Sequence, residues 1–83
     1  MRLNEHRAIH EHMRALRWRE SHLFGNAYTR GAWCVGLWPD GWSLSVATDA
    51  VGVYAIKARG VTLRELRVAL LNLEQISQEA VKL

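Results

Sequence analysis

The chain has one cysteine and one proline among its 83 residues, and it has no long apolar run. A single cysteine cannot form an internal disulfide, which excludes the small disulfide-stabilised secreted domains and fits a reducing compartment. No segment approaches the run of about 20 apolar residues that a membrane-spanning helix requires. The amino-terminal residues lack the apolar core of a secretory signal, so we expect a cytoplasmic protein without a membrane partner.

The sequence also lacks the motifs of common catalytic and cofactor sites. Residues 25–31 contain two glycines but neither the spacing nor the following helix of a phosphate-binding loop. Asp40 and Asp49 stand in predicted turns and do not form a catalytic pair. Cys34 would need a histidine base, and His22 is close to it in sequence only. We therefore expect a protein that is not an enzyme and binds no cofactor.

Three histidines near the amino terminus raise the question of a metal site. His6 and His10 are four residues apart, so both rings can lie on one side of a helix. His12 points about 160° away from His10 on the same helix. Only His22, Cys34 or a carboxylate brought in by the fold could complete a ligand set. We expect surface histidines and no metal, with a pH-dependent contact as the intermediate case.

Length and composition indicate one small globular domain that spans residues 1–83. The sequence is 49% hydrophobic and 23% charged, which is typical of a folded chain and not of a disordered one. The net charge is +3, and most of the 11 cations are arginines, which bind carboxylate or phosphate groups in a bidentate manner. This excess is too small to establish nucleic-acid binding by itself.

The sequence is organised around a predicted hairpin at residues 31–46. Pro39, Asp40 and Gly41 form a turn signal, in which the glycine is expected to take the positive φ that closes the bend. One face of the two strands is predicted to be large and apolar, with Trp33, Val35, Leu37, Trp42, Leu44 and Val46. The other face is predicted to be small, with Ala32, Cys34, Gly36, Ser43 and Ser45, joined by Val53 and Ala55 of a third strand at 53–58. Trp38 and Lys57 complete this small face, which has no strand arginine in the prediction.

Two helices are predicted to flank the strands. Residues 4 to about 20 predict a helix with an apolar stripe of Ile9, Met13, Leu16 and Leu23. Trp18 lies on its opposite, arginine-rich side and either folds back onto the core or anchors a partner. Residues 21–31 predict a loop, with Leu23 and Phe24 tucked under the sheet. The second helix begins at a capping box, Thr62 to Glu65, and continues to the carboxyl terminus.

The predicted fold is a single α+β domain of order α-β-β-β-α, a three-stranded antiparallel meander packed on one face by two helices. Double-stranded RNA-binding domains have the same element order. Those domains carry a lysine cluster at the start of the last helix and a histidine in the loop between the first two strands. Here the last helix opens with Thr62-Leu63-Arg64-Glu65 and the loop is Pro39-Asp40-Gly41, so the motif positions do not match.

A chain without a chemical signature is expected to act by binding. We expect it to mask a surface of a larger protein or nucleoprotein as a regulator or inhibitor. Inhibitors encoded by phages or mobile elements, anti-CRISPR proteins among them, have this general character and act in the host cytoplasm. The predicted contact residues are arginines, tryptophans and exposed apolar residues: Arg7, Arg14, Arg17, Trp18, Trp38, Arg64, Val68 and Leu71.

Three alternatives to this prediction remain. The first is a small basic nucleic-acid-binding domain that uses Trp18 and the arginines of the first helix. The second is self-association into a homodimer through the small sheet face or through Val68 and Leu71. The third concerns Trp38 alone, which either contacts a partner or packs across the turn on Trp42.

Overall fold

The computed structural model describes residues 3–21 and 26–81, with side chains as far as residue 73. The elements in chain order are α1 (Leu3–Ala15), β1 (Arg19–Ser21), β2 (Asn26–Arg30), β3 (Trp33–Trp38), β4 (Gly41–Ala47), β5 (Tyr54–Gly60) and α2 (Leu63–Val81). Each strand pairs antiparallel with its neighbours in sequence, so the sheet is an open meander of order β1-β2-β3-β4-β5. The predicted α+β class is confirmed. Neither helix, over the described residues, is long and apolar enough to cross a membrane.

The predicted count of three strands is wrong, because β1 lies at the predicted end of the first helix and β2 lies where a loop was expected. β1 has only three residues, and β2 shows no regular alternation of apolar and polar side chains, so neither has a clear local strand signal. Pairing across the sheet stabilises them instead. Tyr28 of β2 lies opposite Val35 of β3, and both side chains are fully buried. Leu23 and Phe24 lie outside the described residues.

One face of the sheet, which we call the inner face, lines the hydrophobic core. The buried cluster joins side chains of both helices, the sheet and the segment after α1: Ile9, Met13, Trp18, Tyr28, Val35, Leu37, Trp42, Leu44, Leu66, Leu70 and Leu73. Four of the six residues on the predicted apolar face of the hairpin belong to this cluster: Val35, Leu37, Trp42 and Leu44. A fifth, Trp33, is partly buried and packs against the cluster. We call the opposite side of the sheet the outer face, and it does not line this core.

Helix α1 ends at Ala15, which is earlier than predicted, and leaves Leu16 exposed. Arg17 has a φ of 62°, in the left-handed region. Its N–H donates to the carbonyl of Arg14 at 3.0 Å, and the N–H of Trp18 donates to that of Met13 at 3.1 Å. These two bonds form a Schellman motif, in which the left-handed residue is usually glycine. Since an arginine occupies that position, no residue in the sequence signals the end of the helix.

We expect Arg17→Gly to raise the free energy of unfolding by about 1 kcal/mol, because glycine adopts the left-handed region without the steric cost of a Cβ. Urea unfolding monitored by circular dichroism measures the change. Arg7→Gly, in the middle of the exposed side of α1, is the matched control and is expected to lose about 1 kcal/mol. An equal loss in both variants would contradict the cap assignment.

The turn between β3 and β4 consists of Pro39 and Asp40, and Gly41 is the first residue of β4. Among the described glycines, positive φ values occur at Gly31 and Gly52, so the predicted conformational role of Gly41 is wrong. A Cβ on Gly41 would instead overlap the carbonyl oxygen of Gly60. Glycine is required here because two backbones approach closely.

The predicted capping box of α2 is confirmed. The N–H of Glu65 donates to Oγ1 of Thr62 at 3.2 Å, and the N–H of Thr62 donates to Oε1 of Glu65 at 3.0 Å. The bonds from Thr62 and Val61 lower the pKa of Glu65. Glu5 of α1 adds a cap from another element, since its Oε2 accepts the N–H of Leu63 at 2.9 Å. The start of α2 is therefore fixed both locally and by α1.

Candidate functional site

The arginine–tryptophan patch predicted on the first helix does not form. Arg7, Arg14 and Arg17 are exposed, but Trp18 is only 6% exposed and belongs to the core. Trp18 lies beyond the helix end, where the Schellman turn directs it towards Met13. Arg14 also forms an ion pair with Glu20 at 3.5 Å. Without an accessible indole, this surface offers charge alone.

The second predicted surface lies on α2. Arg64, Val68 and Leu71 are spaced by four and three residues, so they share one stripe, and all three are exposed. Two adjacent apolar side chains on an exposed helix are common on protein surfaces. This stripe is therefore a minor candidate for a contact.

Trp38 lies on the outer face, and its ring is held in place. Its Nε1–H donates to Oγ of Ser43 at 2.9 Å. A Cβ on Gly36 would lie 3.2 Å from Nε1 and 3.3 Å from Cζ2 of Trp38, so the ring extends across Gly36. Trp42 is on the inner face, which means that Trp38 does not pack across the turn on it. The Trp38 side chain remains 49% exposed and separates two depressions in the surface.

The larger of these depressions covers the outer face of the sheet and has a volume of about 790 Å³. Its floor consists of small side chains from three central strands: Ala27, Thr29, Cys34, Gly36, Ser43 and Ser45. Its rim is formed by larger residues: Arg19, Trp38, Tyr54 and Ile56. We call this depression the outer groove. Four of its floor residues were predicted correctly to share one face of the hairpin: Cys34, Gly36, Ser43 and Ser45.

The predicted orientation of the third strand of that sheet, now β5, is wrong. Ala55 lies opposite Val46 on the inner face, whereas Ile56 lies opposite Ser45 on the outer face. The pairing shifts at a β-bulge beside Leu44 and Ser45, where Lys57 is the extra residue of β5. Because of this extra residue, Tyr54 and Ile56 before the bulge and Arg59 after it all lie on the outer face. Tyr54 and Ile56, at 44% and 51% exposure, therefore add apolar surface to the outer groove.

Two arginines on the outer face were missed by the sequence analysis. Arg59 of β5 lies opposite Ser43, and Arg19 of β1 lies opposite Thr29, so both share the face of the groove floor. The two arginines are on opposite edge strands, and these strands are four interstrand spacings or about 19 Å apart. Among the described side chains, neither forms an ion pair. The signal for Arg19 was absent because a three-residue strand has too little alternation to detect.

The chemistry of the outer groove suits binding. Cys34 lies on its floor, and burial raises the pKa of the thiol, opposed by a hydrogen bond from Ser45. A neutral thiol is a poor nucleophile. The hydroxyl of Ser45 donates to the carbonyl of Cys34 at 3.4 Å, and that of Thr29 to the carbonyl of Arg19 at 3.5 Å. His22, the base considered for Cys34, lies outside the described residues.

The amino-terminal histidines lie on the other side of the sheet. The rings of His6 and His10 are 5.0 Å apart, and Nδ1 of His10 is 2.6 Å from the hydroxyl of Tyr28. These two groups share a hydrogen bond, and burial raises the pKa of Tyr28. Across the described residues, no three potential ligands come together around a metal position. His10 therefore partners a buried hydroxyl.

Burial lowers the pKa of His10, and the neighbouring His6 and Arg14 lower it further against the opposing effect of Glu20. Because the folded pKa lies below the unfolded one, the folded state is favoured above the unfolded pKa of about 6.5 and loses this advantage as the pH falls. We expect the free energy of unfolding to decrease from pH 7.5 to pH 5.5, and His10→Gln to reduce this decrease. Urea unfolding at both pH values measures it, and an unchanged slope in His10→Gln would contradict the assignment.

Comparison with known proteins adds no family to this description: no protein-family model, curated protein or solved structure matches the chain significantly.

Proposed function

We propose that this chain is a non-catalytic binding protein that masks a surface of a larger protein partner, and that the outer groove is the surface it uses. The observation that carries the proposal is a sheet face with a small floor and an apolar rim that no described element covers. The solvent-facing side of an antiparallel sheet usually carries polar side chains. Here Trp38, Tyr54 and Ile56 occupy rim positions instead.

The residue types of the rim support a protein partner. Tryptophan, tyrosine and arginine are enriched at the centres of protein interfaces, and small neighbours let a partner approach closely. A masking protein of this kind acts in a fixed ratio to its target, as a regulator or inhibitor that blocks access. The exposed arginines of α1 are available as secondary contacts, whereas the Val68–Leu71 stripe on α2 is the rival surface.

A nucleic-acid partner has weaker support. That alternative depended on Trp18 beside the arginines of α1, and Trp18 is buried. On the outer face, Arg19 and Arg59 stand on opposite edges, where they cannot follow one phosphate backbone in the way that a row of cations does.

Affinity capture from cell lysate with matched variants tests the proposal. Ser45→Phe fills the groove floor from a position on β4 that faces outwards. Leu71→Ser removes exposed apolar surface from α2 and is the control. We expect Ser45→Phe to reduce capture of the partner at least tenfold and Leu71→Ser to leave it within twofold, with both variants folded by circular dichroism.

The reverse result, with capture lost in Leu71→Ser and kept in Ser45→Phe, would contradict the use of the outer groove. A mobility shift with single- or double-stranded oligonucleotides that disappears in Ser45→Phe would favour the nucleic-acid alternative, and its salt dependence would measure the phosphate contacts. A concentration-dependent dimer in sedimentation that Ser45→Phe dissociates would identify a second copy as the occupant.

A further inference from the structure

We infer that the outer groove accepts an acidic amphipathic α-helix of the partner protein. This inference rests on the proposed function and specifies the chemistry of the occupant. It follows from the hydrogen bonding of the groove floor, from the dimensions of the groove and from the positions of two arginines on the outer face of the sheet.

The groove floor offers few hydrogen bonds to a partner. Strands β2, β3 and β4 are each paired on both sides, so their backbone groups are used within the sheet. The hydroxyls of the floor are also engaged: Thr29 and Ser45 donate to carbonyls, and Ser43 accepts from Trp38. An extended segment lying on this floor would bury backbone N–H and C=O groups without partners, which is costly. A helix satisfies its backbone internally and avoids this cost.

The dimensions of the groove fit a single helix. The edge strands β1 and β5 are about 19 Å apart, and a helix with its side chains is about 10–12 Å wide. Along the strands, Trp38 lies opposite Gly41 and Tyr54 opposite Ala47, so the two aromatic residues are about six residues or 20 Å apart. A helix of that length has about 13 residues. Such a helix would form a further layer on the sheet, as in three-layer folds.

The charges on the two sides of the groove specify an acidic helix. Arg19 on β1 lines the groove, and Arg59 on β5 lies opposite the floor residue Ser43 and lines the smaller depression that adjoins the groove at Trp38. Both arginines are exposed, and neither has an ion-pair partner among the described side chains. Glu20 also lines the groove, but its carboxylate pairs with Arg14. A helix in the groove would place acidic residues on both flanks against these arginines. Its underside would present small or apolar residues to the floor and to the rim.

Other modes of occupancy fit less well. A partner strand could add to the exposed edge of β5, but the β-bulge at Lys57 would disrupt its regular hydrogen bonding. The other edge strand, β1, has only three residues. A second copy of this chain would place one arginine-bearing face against another, which opposes association.

Selection of displayed peptides tests the inference with the full chain as bait. One library presents 14-residue sequences on a helical scaffold, and a second presents linear sequences of the same length that contain a central proline. Binders are counter-selected against Ser45→Phe, so that only groove-dependent sequences remain. We expect groove-dependent binders from the helical library, with Asp or Glu on both flanks of the buried face.

Charge variants test the arginines on the strongest selected helix. Arg19→Glu and Arg59→Glu are each expected to weaken its affinity about tenfold, because attraction at the rim becomes repulsion. Replacing the facing acidic residues of the peptide by lysine is expected to restore the affinity for the same variant. Arg67→Glu, which makes the same charge change at an exposed position of α2, is the control and is expected to change the affinity less than twofold.

The outcomes separate this inference from the proposed function. Groove-dependent binders from the linear library alone, or helical binders without acidic preference, would overturn the acidic helix and leave the binding function standing. Failure of both libraries to yield a groove-dependent binder would also overturn it. If, in addition, Ser45→Phe captures the lysate partner as well as the unmodified protein does, the proposed use of the outer groove is wrong as well.

Discussion

Gly41→Ala is expected to lower the free energy of unfolding by about 3 kcal/mol, at the upper end of the usual cost of overpacking. The added Cβ would overlap the carbonyl oxygen of Gly60, a backbone atom at the end of β5, and Gly41 is itself held by its pairing with Trp38 of β3. Neither glycine can move without disturbing the pairing of β4 with its neighbours. For a chain of this length the total stability is on the order of 4–12 kcal/mol, so the loss is severe. Urea unfolding followed by circular dichroism measures it.

Gly36→Ala is the matched control. Its new Cβ would lie 3.2 Å from side-chain atoms of Ser43 and Trp38, and the exposed Trp38 ring can shift by a few tenths of an ångström. We expect a loss below about 1 kcal/mol for this variant. Equal losses in the two variants would mean that the approach of β4 to β5 at Gly60 is not the constraint.

The close approach at Gly60 matters for the outer groove as well as for stability. The ring of Trp42, the residue after Gly41, packs closely on Gly60. A Cβ on Gly60 would lie 2.5 Å from Cζ2 of Trp42. The Nε1–H of Trp42 donates to the carbonyl of Thr62 at 2.9 Å and links β4 to the start of α2. These contacts fix the end of β5, where Arg59 lies on the outer face and lines the smaller depression that adjoins the groove. The inner core thus positions a residue of the outer face.

The parts of the fold that the sequence predicts correctly are those with strong local signals. The hairpin of β3 and β4 follows from its alternating pattern and its Pro39–Asp40 turn, and the start of α2 follows from Thr62 and Glu65. β1 and β2 could not be predicted, because the burial of Tyr28 against Val35 depends on the assembled sheet. The early end of α1 was hidden because the left-handed residue there is an arginine, not a glycine.

The same distinction applies to the candidate site. Alternation alone predicts that Cys34, Gly36, Ser43 and Ser45 share a face, and the register confirms it. The residues around the floor depend on features without a local signature. The bulge in β5 turns Tyr54 and Ile56 outwards. The pairing of short or irregular strands places Arg19 and Arg59 on the outer face. The predicted contact role of Trp38 stays a prediction.

That role gives the second large expected effect. Trp38→Ala is expected to weaken binding of the partner about 30-fold, which corresponds to the loss of about 2 kcal/mol at an interface hot spot. The reason is that Trp38 presents half of its surface at the mouth of the outer groove while Ser43 and Gly36 hold the ring in one position. A ring that is fixed before binding loses little conformational freedom when the partner arrives. Titration calorimetry with the captured partner measures the effect.

Two tryptophans of the core, Trp18 and Trp42, provide the control, because their variants show the effect of losing a structural residue. Trp18 and Trp42 are 6% and 3% exposed within the core, so their replacement by alanine is expected to cost about 3–5 kcal/mol of stability. Trp38→Ala is expected to cost less than about 1 kcal/mol, because its ring lies outside the core cluster. A Trp38→Ala variant that unfolds like Trp42→Ala would make Trp38 a structural residue. A stable variant with unchanged affinity would remove Trp38 from the interface.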